Sequence, residues 1–126
     1  MQDHHLRSFW ACALITIASA LTSTGFSMAA LLATDGHTNA MYCASRSLSL
    51  ALVTVLVVLL RSPRGLMTMS LAMTLVQFGD AIVGFINHDA LKTFGPASLA
   101  LVTAVALIFF RRSYMLAADL VEGDGD

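Results

Sequence analysis

The sequence predicts an all-α protein, a four-helix transmembrane bundle running up-down-up-down. Three observations carry this expectation. Of 126 residues, 57% are hydrophobic and only 12% are charged, where an ordinary soluble domain carries about 25% charged residues. The apolar residues gather into four runs, and a helix needs roughly 20 apolar residues to cross a bilayer core of about 30 Å. With four spans, Arg7, Arg61, Arg64, Arg111 and Arg112 fall on one side and only Lys92 lies in a loop on the other. The positive-inside rule then places both termini in the cytoplasm. One domain, residues 1–119, is expected, followed by a tail. The net charge of −1 and the absence of any basic cluster larger than two adjacent arginines argue against a nucleic-acid partner.

The polar start, residues 1–7, includes the neighbours His4 and His5. Two histidines without a third ligand do not make a metal site, so no metal is expected. The first helix is expected over 9–32, with Phe9 and Trp10 at the depth of an interfacial aromatic belt. Thr16, Ser19, Ser23 and Ser27 recur at three- and four-residue steps, a face of small hydroxyl residues suited to close helix packing in lipid. Ala18-Ser19-Ala20 has the form of a signal-peptidase site, but the apolar run continues twelve residues beyond it.

Asp35-Gly36 marks a turn, and Thr38 is placed to cap a second helix over 39–60. That run is rich in valine, yet it is too long for a strand, and in lipid its backbone must be satisfied internally. Pro63 cannot extend it, which makes the Arg61-Ser62-Pro63-Arg64 turn abrupt. A third helix over 65–87 carries a stripe of Ser70, Thr74, Gln77, Asp80, Gly84 and Asn87. The second helix carries a shorter stripe of Asn39, Tyr42, Arg46 and Ser49. Residues 88–95 read as a loop, and Pro96 suits the first turn of a fourth helix over 94–112, which is short for a span unless it starts nearer Leu91. Residues 120–126, acidic and glycine-containing, read as a disordered tail. Cys12 and Cys43 are expected at opposite ends of the bundle, too far apart for a disulfide.

Two charges interrupt the apolar runs. Arg46 precedes Arg61 by fifteen residues and Asp80 follows Arg64 by sixteen. At about 1.5 Å per residue both lie roughly 22–24 Å from the shared turn. An antiparallel hairpin therefore brings them to one depth, and an intramembrane charge is expected to pair or to face a cavity. A buried Arg46–Asp80 pair is expected, with Gln77, Tyr42, Ser49 and Asn87 completing a polar, ligand-facing cluster.

The segments Tyr42-Cys-Ala-Ser-Arg46-Ser-Leu-Ser-Leu, Gln77-Phe-Gly-Asp80-Ala-Ile-Val-Gly84 and His88-Asp-Ala-Leu-Lys-Thr-Phe-Gly95-Pro96 resemble the DUF4267 family of small bacterial membrane proteins, which is similar in plan to DoxX-like four-helix proteins. The resemblance covers roughly residues 36–112. It rests on an Arg in the second helix, an Asp in the third and a Gly-Pro opening the fourth. Family members often carry a Gly shortly after the Arg, where this chain has Ser49 and Ala51. The resemblance implies the fold and a bacterial cytoplasmic membrane, and it brings no activity with it.

The function expected is binding or interaction: a module that takes membrane lipid or a small lipophilic ligand, or that packs against a partner in the membrane, alone or as a homo-oligomer, without a cofactor. The alternatives are a small membrane isomerase or oxygenase using Asp80 as acid or base, and a transporter subunit. No catalytic constellation is visible beside Asp80, since acid–base work needs a second titratable group within hydrogen-bond reach.

Overall fold

The computed structural model describes residues 2–33 and 38–122, with side chains over 6–33 and 38–118. Among the described residues there are four helices and no strand: α1 (Gln2–Ala33), α2 (Thr38–Leu59), α3 (Pro63–Ile86) and α4 (Ala90–Glu122). All four contain stretches long and apolar enough to cross a membrane. The chain is an all-α four-helix bundle built as a multi-pass membrane protein.

The distribution of side chains explains why. Thr16, Ser19, Ser23, Ser47, Thr54, Ser70, Gln77 and Thr103 are buried, while Leu14, Leu21, Leu52, Leu75, Phe78, Leu101 and Phe109 are exposed. A soluble protein would unfold with that polarity. In lipid, leucine gains nothing by leaving the tails, and small polar residues let helices approach and bond across. The inward stripes keep a three–four spacing: Ala44, Ser47, Ala51, Thr54 and Val58 on α2, and Leu66, Ser70, Met73, Gln77, Ala81 and Gly84 on α3. Helix hydroxyls satisfy themselves on the preceding turn, as when Thr16 Oγ1 donates to the Cys12 carbonyl at 2.7 Å and Thr54 Oγ1 to that of Leu50 at 2.7 Å.

The end of the bundle that carries Arg61 and Arg64 is closed by an apolar cluster of Phe9, Cys12, Ala13, Val58, Leu66 and Phe110. Phe9 and Phe110 meet edge-on with ring centroids 5.9 Å apart. Above it, Ser70 Oγ lies 2.9 Å from Thr16 Oγ1 and 3.4 Å from Cys12 Sγ, tying α3 to α1. Helix α1 runs through the middle and touches the other three, α3 packs most closely on α4, α2 and α3 touch only lightly, and α2 and α4 do not meet.

Both tight turns are made by the same device. Arg61 and His88 adopt positive φ, 48° and 55°. Each closes its helix with the paired bonds of a Schellman cap: Arg61 N to Val58 O and Ser62 N to Val57 O, then His88 N to Phe85 O and Asp89 N to Gly84 O. Ser62 then caps α3 through Gly65 N at 3.2 Å, with Pro63 in the first turn. Asp89 caps α4 through Lys92 N at 3.2 Å.

That second cap corrects the expected 88–95 loop. Helix α4 starts at Ala90, so Pro96 lies inside it rather than in its first turn. The proline lacks only the N–H that would bond the Lys92 carbonyl, and the first turn is secured by Asp89 instead. The expected end at 112 is also too early, because α4 continues to Glu122 and takes in residues 120–122 of the expected tail. Residues 123–126, the turn at 34–37 and the His4 and His5 side chains lie outside the described residues.

Candidate functional site

Arg46 and Asp80 meet. Arg46 Nη2 donates to Asp80 Oδ1 at 2.9 Å, bridging two helices that otherwise touch only lightly. Their side chains remain 49% and 32% exposed. The expectation of a buried pair is therefore corrected. The reason is the gap between α2 and α3, which leaves the pair on the wall of a cavity rather than in packed interior.

The cavity has a volume of about 330 Å³, near the lower end of small-molecule sites, about 300–1,000 Å³. It lies at the end of the bundle away from Arg61 and Arg64. All four helices contribute: Ser23, Phe26, Ser27 and Ala30 from α1; Cys43 and Arg46 from α2; Gln77, Asp80, Val83, Gly84 and Asn87 from α3; and Leu91, Lys92, Pro96 and Leu99 from α4. Its surface is mostly apolar; the polar wall residues are Ser23 and Ser27 on α1, Arg46 on α2, Gln77, Asp80 and Asn87 on α3 and its C-cap, and Lys92 on α4.

Each polar wall residue is held from behind. Gln77, 1% exposed, donates Nε2 to the Ser19 carbonyl at 3.2 Å and to Ser19 Oγ at 3.1 Å. Asn87 caps α3 and donates Nδ2 to the Val83 carbonyl at 2.7 Å. Ser47 Oγ lies 2.9 Å from Ser27 Oγ and 3.4 Å from Ser23 Oγ, and the Ser47 carbonyl accepts from Thr24 Oγ1, which fixes α2 against α1 beside Arg46. At Gly84 a Cβ would collide with the backbone of Lys92 and Thr93 on α4. Only glycine allows that approach, and it sets the width of the cavity on the α4 side.

Of the six site residues expected from sequence, the structure brings together Arg46, Asp80, Gln77 and Asn87. Tyr42 and Ser49 are not in the cavity. Tyr42 is 73% exposed, and Ser49 Oγ donates to the Ser45 carbonyl on the exposed face of α2. Helical phase explains the miss: Ser49 is two residues, about 200°, from buried Ser47. Cys43, Ser47 and Lys92 were not among the expected residues. The Ser23 and Ser27 stripe of α1 already pointed to a hydroxyl partner, and Ser47 is the residue that meets it.

At the mouth Asp89 binds Lys92 Nζ through Oδ2 at 2.9 Å. The Lys92 side-chain and backbone hydrogen bonds hold the Asp89 carboxyl below its ordinary value. The two cysteines are free, Cys12 buried at the closed end and Cys43 exposed beside the cavity. No family model matches the chain, and no curated protein or solved structure matches it.

Proposed function

We propose that the chain is a membrane-embedded binding protein whose cavity takes a small lipophilic ligand, entering from the end away from Arg61 and Arg64. The observation that carries this reading is the cavity itself: a mostly apolar, open hollow with a partly exposed Arg46–Asp80 pair on its wall. A pair serving packing alone has no need of an open face. The positive-inside rule, applied to Arg7, Arg61, Arg64, Arg111 and Arg112, puts the closed end and both termini in the cytoplasm. The resemblance to the DUF4267 family supports a bacterial cytoplasmic membrane as the location.

The alternatives draw less support. A conduit through the bundle meets the apolar cluster of Phe9, Val58, Leu66 and Phe110 below Ser70. Acid–base work by Asp80 needs a proton-exchanging neighbour, and the partner of Asp80 is an arginine, which keeps its proton in proteins.

Native mass spectrometry of the protein released from membranes tests the reading. The wild type retains a small lipophilic adduct, Ala30→Trp loses it by filling the cavity, and Leu14→Trp on the exposed face of α1 keeps it. The same adduct in the wild type and Ala30→Trp overturns the proposal.

A further inference from the structure

The unpaired polar atoms on α3 share one property. Ser19's carbonyl oxygen only accepts, so the Gln77 amide nitrogen is fixed toward α1. Gln77 Oε1 is left without a donor among the described residues, in a side chain that is 1% exposed and lines the cavity. Asn87, which is exposed, repeats the arrangement: its Nδ2 donates to the Val83 carbonyl, and Oδ1 has no donor among the described residues. Asp80 gives Oδ1 to Arg46 and keeps Oδ2. From α3 and its C-cap the wall therefore receives three acceptor oxygens, at positions 77, 80 and 87, across from the remaining N–H groups of Arg46.

The charges nearby are already balanced. Arg46 is bound by Asp80, and Lys92 by Asp89. Neither an anionic nor a cationic head gains an uncompensated partner here. We infer that the ligand is a neutral amphiphile whose polar end donates hydrogen bonds, as vicinal hydroxyls do. Its hydroxyls bind Gln77 Oε1, Asp80 Oδ2 and Asn87 Oδ1, and its apolar part lies against Phe26, Leu91 and Leu99. Discrimination follows, because these oxygens stay unpaired by the ligand when its donors are missing.

The inference rests on the binding reading above, and its test separates the two. Thermal unfolding of the protein in lipid nanodiscs is followed with octane-1,2-diol, its dimethyl ether, octanoate and octylamine. Ala30→Trp, with the cavity filled, subtracts effects on the bilayer. The diol raises the melting temperature more than the ether, and that difference shrinks in Gln77→Met and in Asn87→Ala. Gln77 ties α3 to α1, so Asn87→Ala at the exposed end of α3 carries the test if Gln77→Met does not fold. Equal shifts from diol and ether, or a larger shift from octanoate or octylamine, overturn the donor inference and leave the cavity as a binding site. No shift from any probe overturns both.

Discussion

Arg46 and Asp80 join α2 to α3 through one nitrogen and one oxygen, 2.9 Å apart, on the open wall of a cavity. An unpaired charge at the centre of a membrane helix costs about 2.5–3.5 kcal/mol on insertion scales. Half-exposure and solvent screening reduce this, since exposed pairs contribute only about 0.2–1 kcal/mol. Asp80→Leu and Arg46→Met should each lower stability in detergent by about 1–3 kcal/mol, and the double variant should cost less than their sum. A double-mutant cycle by thermal or chemical unfolding measures the coupling. A value near zero means the two side chains do not meet in solution.

Gly84 and Gly79 lie five residues apart on α3 and should respond in opposite directions. A Cβ at Gly79 meets nothing within 4 Å, whereas at Gly84 it strikes the backbone of Lys92 and Thr93. Gly79→Ala should be neutral or stabilising by up to about 1 kcal/mol, from helix propensity. Gly84→Ala forces α3 and α4 apart and should cost about 1–3 kcal/mol, the range for overpacking. Melting temperatures of the two variants side by side check this. A loss at Gly79 equal to that at Gly84 contradicts the assigned approach.

Thr103 Oγ1 is fully buried on α4 and has no hydrogen-bond partner among the described residues. A buried unsatisfied hydroxyl costs about 1–3 kcal/mol. Thr103→Val keeps the shape and removes the unmet group, so it should raise stability, while Thr16→Val, which breaks bonds to Cys12 and Ser70, should lower it. Unfolding in detergent distinguishes the two.

Asp89 holds the α3–α4 junction through the Lys92 backbone and side chain, and its carboxyl is lowered from the usual 3.8. A lowered value in the folded state contributes stability that is complete above the ordinary carboxylate range and is lost as pH falls through the folded value. Asn remains a good cap, so Asp89→Asn removes the charge and leaves the turn. The melting temperature of wild type should exceed that of Asp89→Asn near about pH 6, and the difference should close below about pH 4. A gap that is constant across this window contradicts the role.

The depth of the site was legible in the sequence, and its azimuth was not. Helical rise is fixed, so counting from the Arg61–Arg64 turn brought Arg46 and Asp80 level. Phase on α2 was ambiguous because two polar faces compete, Tyr42 and Ser49 against Ser47 and Thr54. In lipid, hydrophobicity does not choose between them. The choice is made by packing, through the Ser23, Ser27 and Ser47 hydroxyls, and no single helix contains that information. On α4, Pro96 pointed to a helix start that Asp89 supplies seven residues earlier. Gly84 was visible as a member of a stripe, but the backbone it admits belongs to the next helix.

Cys43 supplies the most direct test of a cavity that takes a ligand. It is exposed and lines the cavity, while Cys12, the other cysteine, is buried. The rate of thiol modification in nanodiscs is measured with and without octane-1,2-diol, in wild type and Ala30→Trp. A bound ligand should slow modification of Cys43 in the wild type, and the diol should have no effect where tryptophan already fills the space. Equal rates with and without the diol in the wild type would contradict the account.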